Sequence, residues 1–292
     1  MIRFVEVSMG EGTRTRCTRC APAVPEVFRD TEEIVDEAAA ACASWSGGAG
    51  PNVRLTGAEP FAHPGLPGIV GAVVGAGCHR LAVDTDAGAF SSEMNVHGAL
   101  RAGVRHVRFT LLAGTDGVHD ALAGAPGRFD ATLEGVRAYR AAAEADGLDV
   151  SVTALVPVCR HNLRDLPSAV GSAVSVGVDA VEIVLEDGGV DLASAGPWIA
   201  SACDTGVVNG VWVSVSGIPF CLQPGYELHL ADVLGPRDGA KQPVCAECGL
   251  DDVCGGAPVG ASADQLVLLS PPAGAAALAA NVRRARGAGS AS

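Results

Sequence analysis

The chain has 292 residues, of which 48% are hydrophobic and 18% charged, a composition typical of a globular protein rather than a disordered one. Its formal net charge of −13 argues against nucleic-acid and anionic membrane partners, because both need a basic surface. No segment is apolar over the roughly 20 residues that a membrane-spanning helix requires, and residues 1–12 lack the pattern of a secretion signal. We therefore expect a cytoplasmic protein, whose ten cysteines are metal ligands, catalytic groups or buried residues rather than disulfides.

Over residues 1–216, short runs of valine, isoleucine and leucine alternate with alanine-rich stretches. The apolar runs predict strands at Ile2–Ser8, Val53–Thr56, Arg80–Asp84, His106–Leu111, Asp149–Val156, Ala180–Leu185 and Gly210–Val215. The stretches between them predict helices, among them Thr31–Ala43, Leu66–Ala76, Phe129–Ala145, Leu166–Val176 and Gly196–Thr205. Nearly uniform apolarity is typical of parallel strands covered on both faces. The alternation predicts an α/β fold, either a complete or partial barrel or a doubly wound sheet.

The periodicity stops after Gly217. Prolines and the Gly255–Gly256 pair interrupt the remaining chain, and three cysteines fall within ten residues of it. We therefore expect a small, loop-rich extension that has little core of its own and is held by a metal site.

Four cysteines of this extension have the spacing of such a site. Cys245, Cys248 and Cys254 form a C-x2-C-x5-C run, in which the first pair can bind one centre from a single tight turn. Cys221 lies across a connecting loop and completes a set of four ligands. Four thiolates suit an iron–sulfur cluster or a tetrahedral zinc ion, and their spacing alone leaves both open.

Chemically suggestive stretches also follow the predicted strands. In chain order they contain Thr13, Cys17 and Cys20, then Gly57-Ala58-Glu59-Pro60, then Asp84–Gly88, then His119 to Phe129, and then Asn162–Leu166. This order, with the C-terminal cysteine run, resembles the radical S-adenosylmethionine (SAM) superfamily, in its branch with a SPASM- or Twitch-like auxiliary cluster. The resemblance implies a partial (β/α)6 TIM-like barrel over residues 1–216. It also implies an auxiliary-cluster extension over residues 217–272, and a C-terminal helix and tail over residues 273–292.

The resemblance also implies cofactors and their ligands. The family holds a core [4Fe-4S] cluster with a C-x3-C-x2-C loop, in which Cys17 and Cys20 here take the second and third positions. Thr13 takes the first, and its hydroxyl is a poor iron ligand because it stays protonated. Gly57, Ala58, Glu59 and Pro60 match the segment that receives the ammonium group of SAM. Cys221, Cys245, Cys248 and Cys254 would hold an auxiliary [4Fe-4S] cluster.

Three hypotheses follow. The first is a superfamily member that is degenerate at the core cluster and serves as a partner or substrate-binding protein in peptide or natural-product modification, in a heterodimer with an active enzyme. The second is an active radical SAM enzyme whose core cluster is held by Cys17, Cys20 and a third donor such as Cys159 or Glu11. The third is a zinc-stabilised α/β protein. No catalytic residue is assigned, and we expect Cys159, His63, His119 and His161 to be packing, loop or helix-cap residues.

Overall fold

A computed structural model describes residues 4–12, 25–45, 50–185, 190–230, 239, 241–256 and 275–289. The strands are β1 (Val5–Ser8), β2 (Gly10–Glu11), β3 (Val27–Phe28), β4 (Asn52–Thr56), β5 (Arg80–Thr85), β6 (His106–Thr110), β7 (Ser151–Val158), β8 (Ala180–Leu185) and β9 (Trp212–Ser216). The helices are α1 (Thr31–Ala43), α2 (Leu66–Gly75), α3 (Glu93–Ala102), α4 (Asp116–Ala123), α5 (Arg128–Ala145), α6 (Leu166–Ser175), α7 (Leu192–Val208) and α8 (Ala275–Gly289). Short 3-10 turns lie at Pro60–Ala62, Gly88–Ser91, Leu163–Asp165, Phe220–Leu222, Glu227–His229 and Pro243–Glu247.

Seven of the strands form one parallel sheet in the order β1-β4-β5-β6-β7-β8-β9. Each of the first six is followed by at least one helix, so the sheet consists of six strand–helix units and a seventh strand. This confirms the predicted α/β class and the partial (β/α)6 arrangement. The predicted strand at Gly210–Val215 corresponds to β9, which pairs with β8 through Ala180 and Trp212. Strands β2 and β3 form a separate antiparallel pair.

Alternate residues of the sheet face two different environments, as the period of two in a β-strand requires. One set, which includes Val7, Leu55 and Phe109, is fully buried and shares a single apolar cluster with helix residues such as Ile34 and Ile69. This face carries the main core, because the crossover helices cover it. The burial of its valines and leucines is the dominant stabilising contribution to the fold.

The opposite face of the sheet is charged, which the prediction of strands covered on both faces missed. Arg108 donates to Asp84 (Nε to Oδ1, 2.9 Å) and to Glu182 (Nη1 to Oε2, 2.9 Å). Arg54 lies beside the same aspartate (3.7 Å) and beside Glu6 (3.4 Å). Helices do not cover this face in a barrel, so it can retain ion pairs that contact water at their edges.

Described residues of the C-terminal part pack against the core of the barrel. Ile218, Phe220, Leu250 and Val253 join the main core, and an isolated bridge pairs Leu230 with Val215 of β9. Helix α8 buries Ala279 and Val282, and its Arg283 forms a two-bond ion pair with Asp252 (2.7 and 2.8 Å). Among the described residues, no helix combines the length and apolarity needed to cross a bilayer.

Candidate functional site

The carboxyl ends of β1 and β4 meet at one point, where α/β folds place their ligands. The Met9 amide donates to the Thr56 carbonyl (2.7 Å), and the Ala58 amide donates to the Gly10 carbonyl (3.1 Å). Gly57 has a φ of +96°, and a Cβ at this position would lie 2.4 Å from the Gly10 oxygen. Only glycine therefore fits here, which explains the glycine of the Gly57–Pro60 segment.

The loop with Thr13, Cys17 and Cys20 lies outside the described residues, but both of its ends are described. Strands β2 and β3 pair Glu11 with Val27 at the base of this loop. Glu26 accepts a hydrogen bond from the Glu59 amide (Oε1, 3.1 Å). The loop therefore begins and ends beside the Gly57–Pro60 segment, which is the neighbourhood that the resemblance implies for a core cluster and SAM.

The Glu59 side chain is turned into the protein and is only 1% exposed. Its Oε1 accepts hydrogen bonds from the Thr85 hydroxyl (2.8 Å) and the Phe61 amide (3.2 Å), and its Oε2 accepts one from the Asp86 amide (2.9 Å). Burial, and next the charge of Asp86, raise the pKa of Glu59 to about 7. The carboxylate thus links the end of β4 to the end of β5.

Asp86 continues this buried chain of polar groups. It forms an ion pair with Arg128 from the start of α5, and it accepts the Gly88 amide (2.8 Å). The Thr132 hydroxyl donates to its backbone carbonyl (2.9 Å). The Asp84–Gly88 stretch therefore packs its backbone and side chains against β4 and α5, and the charge of Asp86 is balanced locally.

The stretch after β6 contains a cap and a buried imidazole. Asp120 accepts the amides of Gly127 (2.5 Å) and Phe129 (2.8 Å), so α4 supplies the N-terminal cap of α5. His119 is 3% exposed, lies edge-on to Phe129, and has no hydrogen-bond partner at either ring nitrogen. Burial lowers its pKa to about 4, so the ring is neutral at physiological pH.

Cys159 and His63, which the sequence analysis predicts to be packing, loop or helix-cap residues, are both buried. Cys159 is buried beside Leu112 and Leu122, and its amide donates to the Asn162 side chain (2.8 Å). His63 is buried, accepts the Gly65 amide at Nδ1 (3.0 Å) and lies 3.1 Å from the Arg29 carbonyl through Nε2. The contacts of Cys159 are those of a packing residue, and the contacts of His63 are those of a capping residue.

The four C-terminal cysteines are half-buried. Burial, and next the neighbouring thiols of Cys254, Cys245 and Cys248, raise the pKa of Cys221 to about 12. The sulfur of Cys245 accepts the Gln242 amide (3.4 Å), and that of Cys254 accepts the Gly256 amide (3.3 Å). Within the part of the chain that the structure describes, no three His, Cys, Asp or Glu side chains are arranged to hold a metal ion. The ligand role of these cysteines stays a prediction.

Solved structures with the same arrangement of strands and helices identify the fold. SuiB from Streptococcus suis aligns with a TM-score of 0.55 and 12% identity over 73% of this chain and 49% of its own. The hydrogenase maturase HydG from Carboxydothermus hydrogenoformans gives 0.52 and 13% over 73% and 52%, and methylornithine synthase PylB gives 0.50 and 12% over 73% and 64%. These neighbours are radical SAM enzymes. The chain shares the α/β barrel fold of these neighbours.

The likeness does not extend over the whole length of these neighbours or to close sequence similarity. The chain spans about half of SuiB, which has also been solved with S-adenosylmethionine and with the precursor peptide SuiA. No protein-family model matches the sequence, and no curated protein matches it.

Sequence reasoning missed three residues of the polar chain at the strand ends. Glu26 and Arg128 were not singled out, and Thr85 was noted only as part of the Asp84–Gly88 stretch. A signal existed for Arg128, because it stands between Gly127 and Phe129 in a stretch that was singled out. None existed for Glu26, whose contact with Glu59 depends on the β2–β3 pairing.

Proposed function

We propose that this chain is a radical SAM superfamily iron–sulfur protein that is degenerate at its core cluster and acts as a partner or substrate-binding protein in peptide or natural-product modification. The shared fold supports the superfamily, and the SuiB complex with the peptide SuiA supports a peptide as the bound substrate. Residues 1–216 would form the barrel, residues 217–272 the auxiliary-cluster extension, and residues 273–292 a C-terminal helix and tail. An active enzyme of the same fold would be the other half of a heterodimer.

One observation carries the degenerate assignment. The resemblance assigns the SAM ammonium to the backbone and carboxylate of the Gly57–Pro60 segment, but the Glu59 carboxylate is 1% exposed and accepts three hydrogen bonds from the chain itself. With a pKa of about 7, it is also only partly ionised at neutral pH, which weakens its attraction for an ammonium group. Thr13 stands in place of the first cysteine of the core motif, and this also supports degeneracy, because a protonated hydroxyl does not replace a thiolate as an iron ligand.

We further propose that Cys221, Cys245, Cys248 and Cys254 hold an auxiliary [4Fe-4S] cluster. The spacing of the four cysteines in the sequence and the influence of the other three thiols on the pKa of Cys221 support this, and so do the amides that donate to the sulfurs of Cys245 and Cys254. Hydrogen bonds to sulfur stabilise the negative charge of a cluster and tune its potential. A cluster with four thiolate ligands has no open site, so it would supply structural support and electron transfer rather than SAM binding.

Iron and acid-labile sulfide analysis after anaerobic reconstitution tests the proposal. We expect about four irons per chain, the content of one [4Fe-4S] cluster. Addition of SAM and a strong reductant should then produce no 5′-deoxyadenosine, and SAM should bind weakly or not at all by calorimetry. A content of about eight irons with 5′-deoxyadenosine formation would establish the active enzyme instead. Zinc without iron would establish the zinc-stabilised protein.

A Thr13→Cys variant separates damage at the core motif from loss of the whole site. If Thr13 is the reason that no core cluster forms, this substitution should add a second cluster and restore SAM cleavage. Thr18→Cys, in the same loop but outside the motif positions, is the matched control and should add neither. Unchanged iron in Thr13→Cys would contradict our interpretation of Thr13.

One specific observation keeps the active alternative worth testing. Of the two third donors considered for the core cluster, Cys159 is packed beside Leu112 and Leu122, whereas Glu11 is exposed at the base of the cysteine loop. Under the active hypothesis, Glu11→Gln should therefore lower the iron content by one cluster, and Cys159→Ala should not. Under our proposal, neither substitution should change it.

A further inference from the structure

A cavity of about 310 Å³ lies at the amino ends of β5, β6 and β7. Arg80, His106 and Ser151 are the first residues of these strands, and all three line the cavity. The candidate site is at the carboxyl ends of the strands, so the cavity is at the opposite end of the sheet. Among the described residues that line it, none is proposed above for a cluster or for SAM.

The register of the sheet brings the lining side chains together. Ala82 of β5 lies opposite His106 of β6, which in turn lies opposite Ser151 of β7. Arg80 precedes Ala82 by two residues and therefore shares its face of the sheet. Neighbouring strands are about 4.8 Å apart, so the long side chain of Arg80 can reach an anion that also contacts His106 or Ser151. The Ser151 amide donates to the Arg105 carbonyl (2.8 Å), which places Arg105 at the same end.

The cavity is basic, although the chain as a whole is acidic. Its described lining contains two arginines and two histidines against one carboxylate: Arg80, Arg105, His79, His106 and Asp149. The whole chain has 20 lysines and arginines against 33 aspartates and glutamates. Within the part of the chain that the structure describes, neither arginine of the cavity forms an ion pair with a carboxylate. Their charge therefore remains available to an anionic ligand.

Arg105 is held in place before any ligand binds. Its Nη1 donates to the carbonyls of Leu100 (2.8 Å) and Val104 (3.0 Å) at the end of α3. A guanidinium has five N–H donors in one rigid plane, so further donors remain for an oxyanion. A side chain that is already fixed also loses less conformational entropy on binding. The hydroxyl of Ser151 adds a neutral donor.

We propose that this cavity binds a small anion with a phosphate group, held by the guanidinium groups of Arg80 and Arg105. A phosphate group carries about 1.5 to 2 negative charges at pH 7, and its oxygens fit the paired donors of a guanidinium. The volume of the cavity suits a free phosphate or a small phosphate ester. A nucleic acid is not the ligand, because the net charge of −13 repels a polyanion.

The histidine of β6 makes the binding depend on pH. Burial, and next the charge of Arg80, lower the pKa of His106. Of the other charges that act on this ring, His79 also lowers the pKa and Asp149 raises it. A bound anion offsets the charge of Arg80 and favours the protonated ring, so binding is accompanied by proton uptake. Sulfate, whose own charge is constant, should therefore bind more tightly at pH 6 than at pH 8, and His106→Gln should reduce this difference.

Isothermal titration calorimetry with sulfate, at an ionic strength kept constant with chloride, tests the inference on the whole protein. Arg80→Gln should weaken sulfate binding about tenfold, because it removes charge-assisted hydrogen bonds. Arg137→Gln, at an exposed arginine of α5 that does not line the cavity, is the matched control and should leave the affinity unchanged. Asp149→Asn removes the one carboxylate of the described lining and should strengthen binding severalfold. A misfolded variant would not show such a gain.

Inorganic phosphate and glycerol phosphate then identify the source of the phosphate group. Tighter binding of glycerol phosphate would indicate a phosphate ester as the ligand, and equal or weaker binding would indicate free phosphate. Lack of saturable sulfate binding, equal affinity in Arg80→Gln and Arg137→Gln, or unchanged affinity in Asp149→Asn would overturn the proposal. Tighter binding of succinate than of either phosphate compound would also overturn it, because the site would then select carboxylates.

Discussion

The barrel and the cysteine-rich segment at residues 217–256 are stabilised in different ways. The barrel buries one continuous apolar layer, in which residues such as Val7, Leu55 and Phe109 are fully inaccessible. Among its described residues, the cysteine-rich segment contributes Ile218, Phe220, Leu230, Leu250 and Val253 to that layer. Its described regular structure consists of 3-10 turns, and its four cysteines are half-buried. We expect hydrophobic burial to be sufficient for the first region, and we propose that the second depends on the cluster proposed at its cysteines. Removal of metal should therefore destabilise the cysteine-rich segment and leave the barrel folded.

The largest expected effect comes from the barrel core. Phe109→Ala removes a fully buried ring of β6 and should lower the free energy of unfolding by about 3–5 kcal/mol. Urea denaturation followed by far-ultraviolet circular dichroism measures this change. Val208→Ala, at a residue that is 84% exposed, is the control and should stay within about 0.5 kcal/mol of wild type. A loss below about 1 kcal/mol in Phe109→Ala would mean that the apolar layer is not the principal support of the barrel.

The charged face of the sheet should give the next largest effect. Arg108→Met leaves Asp84 and Glu182, whose side chains are 10% and 19% exposed, without their shared guanidinium. We expect a loss of about 2–4 kcal/mol, since Glu182 loses this partner and Asp84 keeps only the more distant Arg54 (3.7 Å) in a largely desolvated place. Arg140→Met breaks the open ion pair with Asp179 and should cost less than about 1 kcal/mol. Equal losses in both variants, again measured by urea denaturation, would show that the Arg108 pairs are as solvated as a surface pair.

The sequence predicts the parts of the fold that depend on local periodicity. The strand at Ala180–Leu185 has the observed bounds, and the helix predicted at Phe129–Ala145 begins one residue earlier. Helix α7 was predicted to begin at Gly196 but begins at Leu192, and Pro197 lies inside it. Helix α3 was not singled out, since only three of its residues, Val96, Ala99 and Leu100, are buried. Its apolar signal is correspondingly weak.

The candidate site is less predictable, because it depends on contacts between distant segments. Gly57 could be anticipated from its motif, but the burial of the Glu59 carboxylate depends on Thr85 and Asp86 from the next strand. A motif fixes which residue stands at a strand end and does not fix which way its side chain turns. The charged face was missed for a similar reason: Arg54 and Arg108 each stand alone among apolar neighbours in their strands, and only sheet pairing brings their partners together.

The polar chain at the strand ends should give a smaller, pH-dependent effect. The pKa of Glu59 is raised from 4.5 to about 7, so the folded chain binds more protons there and its stability should fall as the pH rises through this window. The pKa of His119 is lowered from 6.5 to about 4, so the folded chain binds fewer protons there and its stability should rise with pH. The two dependences largely offset each other in the wild type.

Single substitutions should separate these opposing slopes. As the pH rises from 5 to 6.5, the free energy of unfolding of Glu59→Gln should increase by about 1–2 kcal/mol, because only the contribution of His119 remains. Over the same range, that of His119→Phe should decrease by about the same amount, because only the contribution of Glu59 remains. Urea midpoints at several pH values measure both slopes, with the exposed Glu144→Gln as control. Only the slope is interpreted, because the amide in Glu59→Gln would also lack one acceptor oxygen. Parallel pH profiles in the two variants would contradict this assignment.

The smallest effect on the barrel should come from the cysteines, although their effect on metal content should be complete. Cys245→Ser removes one proposed cluster ligand, and we expect the reconstituted iron to fall to background while the barrel loses less than about 1 kcal/mol. Limited proteolysis should then cut within residues 217–256 before it cuts the barrel. Cys78→Ser, outside the proposed cluster site, is the control and should keep both iron and protease resistance. If loss of the cluster instead unfolds the barrel in the same transition, the two regions form one cooperative unit, and the apolar layer alone is not sufficient for the barrel.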